Sequence, residues 1–159
     1  MRGRPVHRSE DQILAEELGA LGALSGGSGG LVRVVANLMR KNVHEIDLVA
    51  ALPFEAVVKL VSAVLGSAGR AVDSVSVGSG EEETIRVVVG GGAGGLNPAV
   101  VTARVLKVDE NSSEIWLRAA AKEGLIRQRA GERTAARIAA LLSEATGAGE
   151  AYGAGKAGG

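Results

Sequence analysis

Two glycine-rich strings in the chain spell motifs that carry chemistry elsewhere. Gly26-Gly27-Ser28-Gly29-Gly30 reads as G-x-S-x-G, the tight turn that presents a nucleophilic serine. Gly90–Gly95 reads as G-x-G-x-x-G, the loop that lets backbone N–H groups approach a pyrophosphate. Neither has the neighbours its chemistry requires. A helix-period stretch precedes Ser28 where an elbow needs a strand, and a triad needs a histidine, of which there are only His7 and His44. Gly95 leads through Asn97-Pro98 into a β-branched run, where a dinucleotide site needs a helix N-terminus. The chain has no cysteine, which excludes disulfides, thiolate metal sites and cysteine nucleophiles. No carboxylate pair or histidine cluster takes their place, so the expectation is no enzyme, no metal and no cofactor.

The remaining polar candidates are groups that orient a ligand or hold a partner. His44 alternates with Glu45 in a strand-like run, and Arg86 lies in another. Trp116, the single tryptophan, alternates against Ile115 and Leu117, so if those two face a helix it faces outward. There it serves either as an interface anchor or as packing beneath the N-terminal helices. Arg129, Arg133 and Arg137 repeat every four residues and form a basic stripe, which is either a solvated face or a contact for an anionic partner.

These residues need elements to place them. Ser9 and Gln12 have the spacing of a capping box, followed by Leu14, Leu18 and Leu21 at helical period with Glu16 and Glu17 on the wet side. Leu31, Val34, Val35, Leu38 and Met39 predict a second short helix, with Arg33, Arg40 and Lys41 outward. His44, Ile46 and Leu48 predict a half-buried strand from Val43 to Ala51. Pro53 opens a helix whose stripe is Phe54, Val57, Val58, Val61 and Leu65, with Gly66 as its cap. Strand-like runs follow at 72–77, 84–89, 99–109 and 114–121, the last two joined by a turn at Asp109–Ser113. A long helix over 124–145 aligns Ile126, Ala130, Thr134, Ile138 and Leu142. The order α-α-β-α-β-β-β-β-α implies an α+β fold, an antiparallel β-sheet gripping a long C-terminal helix with an added N-terminal helical segment.

Composition narrows the function further. Among 159 residues, 18 are Lys or Arg and 18 Asp or Glu, and this balance argues against a dedicated nucleic-acid binder. Aromatics are 2% of the chain, too few for base-stacking surfaces. No apolar run is long enough to span a membrane, and Arg2, Arg4 and Arg8 lack the apolar stretch of a secretory signal. With no cysteine, these features point to a cytoplasmic location, although Glu10 and Asp11 only disfavour a transit segment. The 24 glycines concentrate in 19–30, 90–95 and 147–159. The expected organisation is a disordered start (1–8), a helical segment (9–42), an α+β domain (43–146) and a disordered glycine-rich tail (147–159).

Two stretches resemble a known family. His44–Leu65, HEIDLVAALPFEAVVKLVSAVL, looks like the opening strand, corner and helix of the helix-grip superfamily, which includes START domains, the birch-pollen-allergen type and polyketide-cyclase-like lipid-binding proteins. Ile115–Leu142, IWLRAAAKEGLIRQRAGERTAARIAALL, looks like that family's last strand and gripping helix. The resemblance implies a non-enzymatic carrier holding a small hydrophobic or amphipathic ligand between sheet and C-terminal helix. The walls would be Ile46, Leu48, Ile85, Val87, Val101, Val105, Leu117, Ile126 and Ile138, with His44 and Arg86 orienting the ligand and Gly90, Gly92 and Gly95 in a gate loop. The same aliphatic residues equally describe a plain core. In that case the chain is a small interaction module or homo-oligomer, with Trp116, Arg129, Arg133 and Arg137 at its contacts.

Overall fold

The computed structural model describes residues 8–24, 39–77, 80–91, 97–123 and 129–150. The elements run α1 (Glu10–Leu24), β1 (Arg40–Ala50), α2 (Phe54–Ala68), β2 (Arg70–Val77), β3 (Glu82–Gly91), β4 (Asn97–Asp109), β5 (Ser112–Glu123), α3 (Ala130–Thr146) and β6 (Gly149–Glu150). The strands form one antiparallel sheet in the order β2-β3-β4-β5-β1-β6. The fold is the expected α+β arrangement, with the C-terminal helix α3 packed on β1 and β5.

Register assigns every side chain to a face. Ile46, Leu117, Ala103 and Ile85 form one row across four strands, and Leu48, Ile115 and Val105 form the next. Because alternate residues share a face, these rows belong to the inner face. There α2 packs mainly on β3, β4 and β2, and α3 lies beside it on β1 and β5. Val57, Val61 and Leu65 of α2 and Ala135, Ile138 and Leu142 of α3 join the sheet's aliphatic residues in one core cluster. The outer face is occupied by α1: Ile13 and Leu14 pack with Val88 and Val100 in a smaller cluster. As a result Pro98–Ala103 of β4 is buried at every position, whereas one-sided burial would alternate.

Several boundaries differ from expectation. Arg40 and Lys41 lie in β1, because the strand ladder to β5 continues as far as Arg40 opposite Glu123. Most of the predicted second helix, 31–38, lies outside the described residues. Helix α2 runs past Gly66 to Ala68, and its C-cap is Gly69 with extended backbone, so Gly66 is not the cap. The tail is not disordered at its start. Gly147 adopts a left-handed cap with φ 67°, Ala148 is buried, and β6 pairs Gly149 with Val49. The remaining tail residues, 151–159, lie outside the described residues. No helix of the described residues is long and apolar enough to cross a membrane.

The start of α3 is held by two strand side chains. The Ala130 N–H donates to Glu123 Oε1 at 3.2 Å and the Glu132 N–H to Asn42 Oδ1 at 3.1 Å. These satisfy donors that a helix N-terminus leaves free, and the carboxylate also meets the positive end of the helix dipole. Close approach there requires Gly131, since a Cβ would sit 2.5 Å from the Asn42 carbonyl oxygen. Gly131→Ala is therefore expected to lower the unfolding free energy by about 1–3 kcal/mol through overpacking against backbone, read as a reduced urea midpoint. An unchanged midpoint would refute this account of the junction.

Candidate functional site

Eight of the nine residues proposed as ligand walls lie among the described residues, and these eight come together. Leu48, Val87, Val101, Val105, Leu117 and Ile138 are 0–1% exposed and share one apolar cluster, with Ile46 and Ile85 half-buried at its margins. His44 lies on the same face, opposite Ala119, and is half-buried. Ile126 lies outside the described residues.

Arg86 is the first correction: it cannot share that layer, because it lies between Ile85 and Val87 on a strand and so projects to the other face. Its guanidinium donates to Thr102 Oγ1 at 3.1 Å and to the Arg8 carbonyl at 3.1 Å, next to α1. Gly90 is the second. It is a strand residue paired with Pro98, so the ladder extends into what the glycine spacing marked as a gate loop. Gly92 and Gly95 lie outside the described residues.

Trp116 lies on the outer face as its alternation requires, with the Arg104 guanidinium carbon 5.3 Å from its ring centroid. That is the distance of a cation–π contact. Arg133 and Arg137 are exposed on α3. Arg129 precedes the helix in a left-handed conformation, with φ 50°, and its guanidinium lies 3.8 Å from the Glu132 carboxylate.

The most developed polar site is one the sequence reading missed, the charged seam between α1 and the outer face. The capping box forms: the Ser9 N–H donates to Gln12 Oε1 at 2.9 Å and the Gln12 N–H to Ser9 Oγ at 3.2 Å. This starts α1 with Glu10 and Asp11 turned to the sheet. Arg118 grips Glu10 with two N–H groups, at 2.8 and 3.2 Å, and also pairs with Glu45. Lys122 Nζ lies 2.8 Å from Asp11 Oδ1, and Lys41 lies 3.4 Å from Glu10 and 3.5 Å from Asp11. Further along the helix, Glu17 pairs with Arg70. Lys41 and Lys122 are opposed in the ladder, so Asp11 separates two like charges.

In these partly buried pairs, with Glu10 and Lys122 largely covered, the cost of desolvating the charges offsets much of their attraction. Burying Ile13 and Leu14 contributes roughly 1.5–3 kcal/mol apiece as an upper bound. The apolar pair thus holds the helix, and the charges fix its position. Burial pushes the Glu10 carboxyl up, but the hydrogen bond and charge of Arg118 and the charge of Lys41 outweigh it, leaving Glu10 below its ordinary value. Asp11 is lowered mainly by its hydrogen bond to Lys122.

No family model and no curated protein matches the chain. Among solved structures, it is similar to the Zhui aromatase/cyclase from Streptomyces sp. R1128, at 16% identity and TM-score 0.38, covering 67% of this chain and 94% of that one. It is also similar to Ara h 8.0201, at 10% identity and TM-score 0.38, covering 68% of this chain and 97% of that one. The strand order and helix positions by themselves give an antiparallel sheet with the C-terminal helix packed on its inner face.

Carboxylates held below their ordinary values stabilise the fold above that range, and the contribution is lost as pH falls through it. Unfolding free energy is expected to drop as pH falls below the ordinary carboxylate range, and to drop less in an E10Q/D11N variant. Equal slopes in chemical denaturation would show that the seam contributes nothing.

Proposed function

We propose that the protein is a non-enzymatic interaction module whose inner apolar layer is a structural core and whose binding is carried by its surfaces. The observation that supports this reading is the burial of that layer. A ligand-sized space between sheet and α3 would leave its lining side chains with accessible area, yet Val101, Val105, Leu117, Ile138 and Leu142 have 0% exposure. Two helices lie side by side over the inner face, α2 over the β2–β4 half and α3 over the β1–β5 half. Small residues at the contact, Ala103 and Ala119 on the sheet and Ala135 on α3, allow this close packing.

A second reading, a carrier of a small hydrophobic or amphipathic ligand, is favoured at the margins of the layer. Ile46 and Ile85 end the same inner row half-buried, and Phe54, Val58 and Val64 pack there half-buried as well. His44 would be the polar group beside such a ligand.

Native mass spectrometry of protein purified from cells separates the two. The interaction module gives polypeptide masses only, as monomer or homo-oligomer, and no affinity for fatty acids or fluorescent lipid probes. A co-purified hydrophobic mass would overturn it in favour of the carrier.

A further inference from the structure

We propose that the residues following Glu150 continue β6 along the open edge of β1, and that Tyr152 closes the inner apolar layer beside Ile46. Strand β1 uses one edge along its whole length, from Arg40 opposite Glu123 to Ala50 opposite Ser113. Among the described residues, its other edge is paired only at Leu48 and Val49, by Glu150 and Gly149. From Asp47 back to Arg40, every second residue turns an N–H and a C=O to that edge, which is a template for a further strand.

Burial along β1 changes where β6 stops. The inner-face residues Ala50 and Leu48 are 0% and 1% exposed, whereas Ile46, His44 and Asn42 on the same face are half-buried. Ile46 also ends its row, in which Leu117 and Ala103 are fully buried. What the row lacks is one apolar side chain on the next strand, opposite Ile46.

Register names that side chain. Glu150 faces Leu48, so the same antiparallel ladder carries Ala151 opposite Asp47, Tyr152 opposite Ile46 and Ala154 opposite His44. Tyr152, the single tyrosine, falls on the inner face, where its ring buries apolar area and its hydroxyl stays at the wet rim. On the outer face the register offers only small residues, with Ala151 beside Asp47 and Gly153 beside Glu45. These leave Glu45 free for its pair with Arg118. No proline falls in 151–158, so every residue there can donate to the ladder. The departure point is held firmly. Thr146 Oγ1 donates to the Leu142 carbonyl at 2.7 Å and accepts from the Ala148 N–H at 3.1 Å, and Ala148 belongs to the core cluster. Tyr152 fills the margin where a carrier would hold its ligand, a closure that goes beyond the interaction-module reading and does not depend on it.

Nuclear magnetic resonance on the full chain tests this closure. Cross-peaks are expected from the Tyr152 ring to the Ile46 methyl groups. Alternate amides over 151–157 are expected to exchange at least about tenfold more slowly than in an unstructured peptide. Tyr152→Gly should shift the Ile46 methyl resonances and leave those of Ile13, on the other face, in place. Absence of the Tyr152–Ile46 cross-peaks together with unprotected amides over 151–157 would overturn the proposal. Ring contacts to Glu45 or Asp47 would overturn the register. In a mixture of labelled and unlabelled protein, cross-peaks found only between chains would overturn it in favour of the tail of a second copy.

Discussion

Two dipeptides at one end of the sheet hold a helix on each of its faces. Lys122 and Glu123 end β5, and as neighbours on a strand they project oppositely. Lys122 reaches out to Asp11 of α1, while Glu123 reaches in to the first N–H of α3. Lys41 and Asn42 on β1 repeat the arrangement, Lys41 toward the α1 carboxylates and Asn42 toward the Glu132 N–H. Both Lys122 and Glu123 are buried, at 5% and 8% exposure, which is expensive for charged groups without partners. The two helices supply those partners, so strand pairing and helix docking are coupled at this point.

Two-sided coverage follows from that clamp, and it explains the composition of the central strands. Where α1 crosses the outer face, β4 reads Pro-Ala-Val-Val-Thr-Ala without a charge, and β5 reads Ala-Ala-Ala at 119–121. The single polar side chain in the β4 stretch, Thr102, is buried and accepts a hydrogen bond from Arg86. Beyond α1 the outer face returns to charges, with Glu82 and Arg104 paired and Arg104 over Trp116. The aliphatic, aromatic-poor core is thus a consequence of layers packed closely on both sides of a sheet.

The inner face was legible because it obeys simple periods. Alternation at Ile115 and Leu117 and the four-residue spacing of Val57, Val61 and Leu65 and of Ile138 and Leu142 predict which residues meet. The capping box at Ser9 and the turn at Asp109 were equally plain, the latter closed by the Asn111 N–H donating to Asp109 Oδ1 at 2.8 Å. The outer site was not legible, because it joins residues far apart in sequence, Glu10 with Arg118 and Asp11 with Lys122. Its one local signal was the uncharged, mostly apolar run at 98–103, since a strand covered on one side only would alternate. Arg86 was misplaced for the complementary reason: Ile85, Arg86 and Val87 cannot share a face, whatever their chemistry. The glycines of 90–91 read as loop by type, whereas their ladder partners Pro98 and Asn97 keep them in strand.

The chain's own helices close both faces of the sheet, and α1 is the less expected of them. Methyl–methyl nuclear Overhauser effects measure this directly. The account predicts cross-peaks from Ile13 and Leu14 to Val88 and Val100. Methyl groups of Ile13 and Leu14 that show contacts within α1 alone would contradict it.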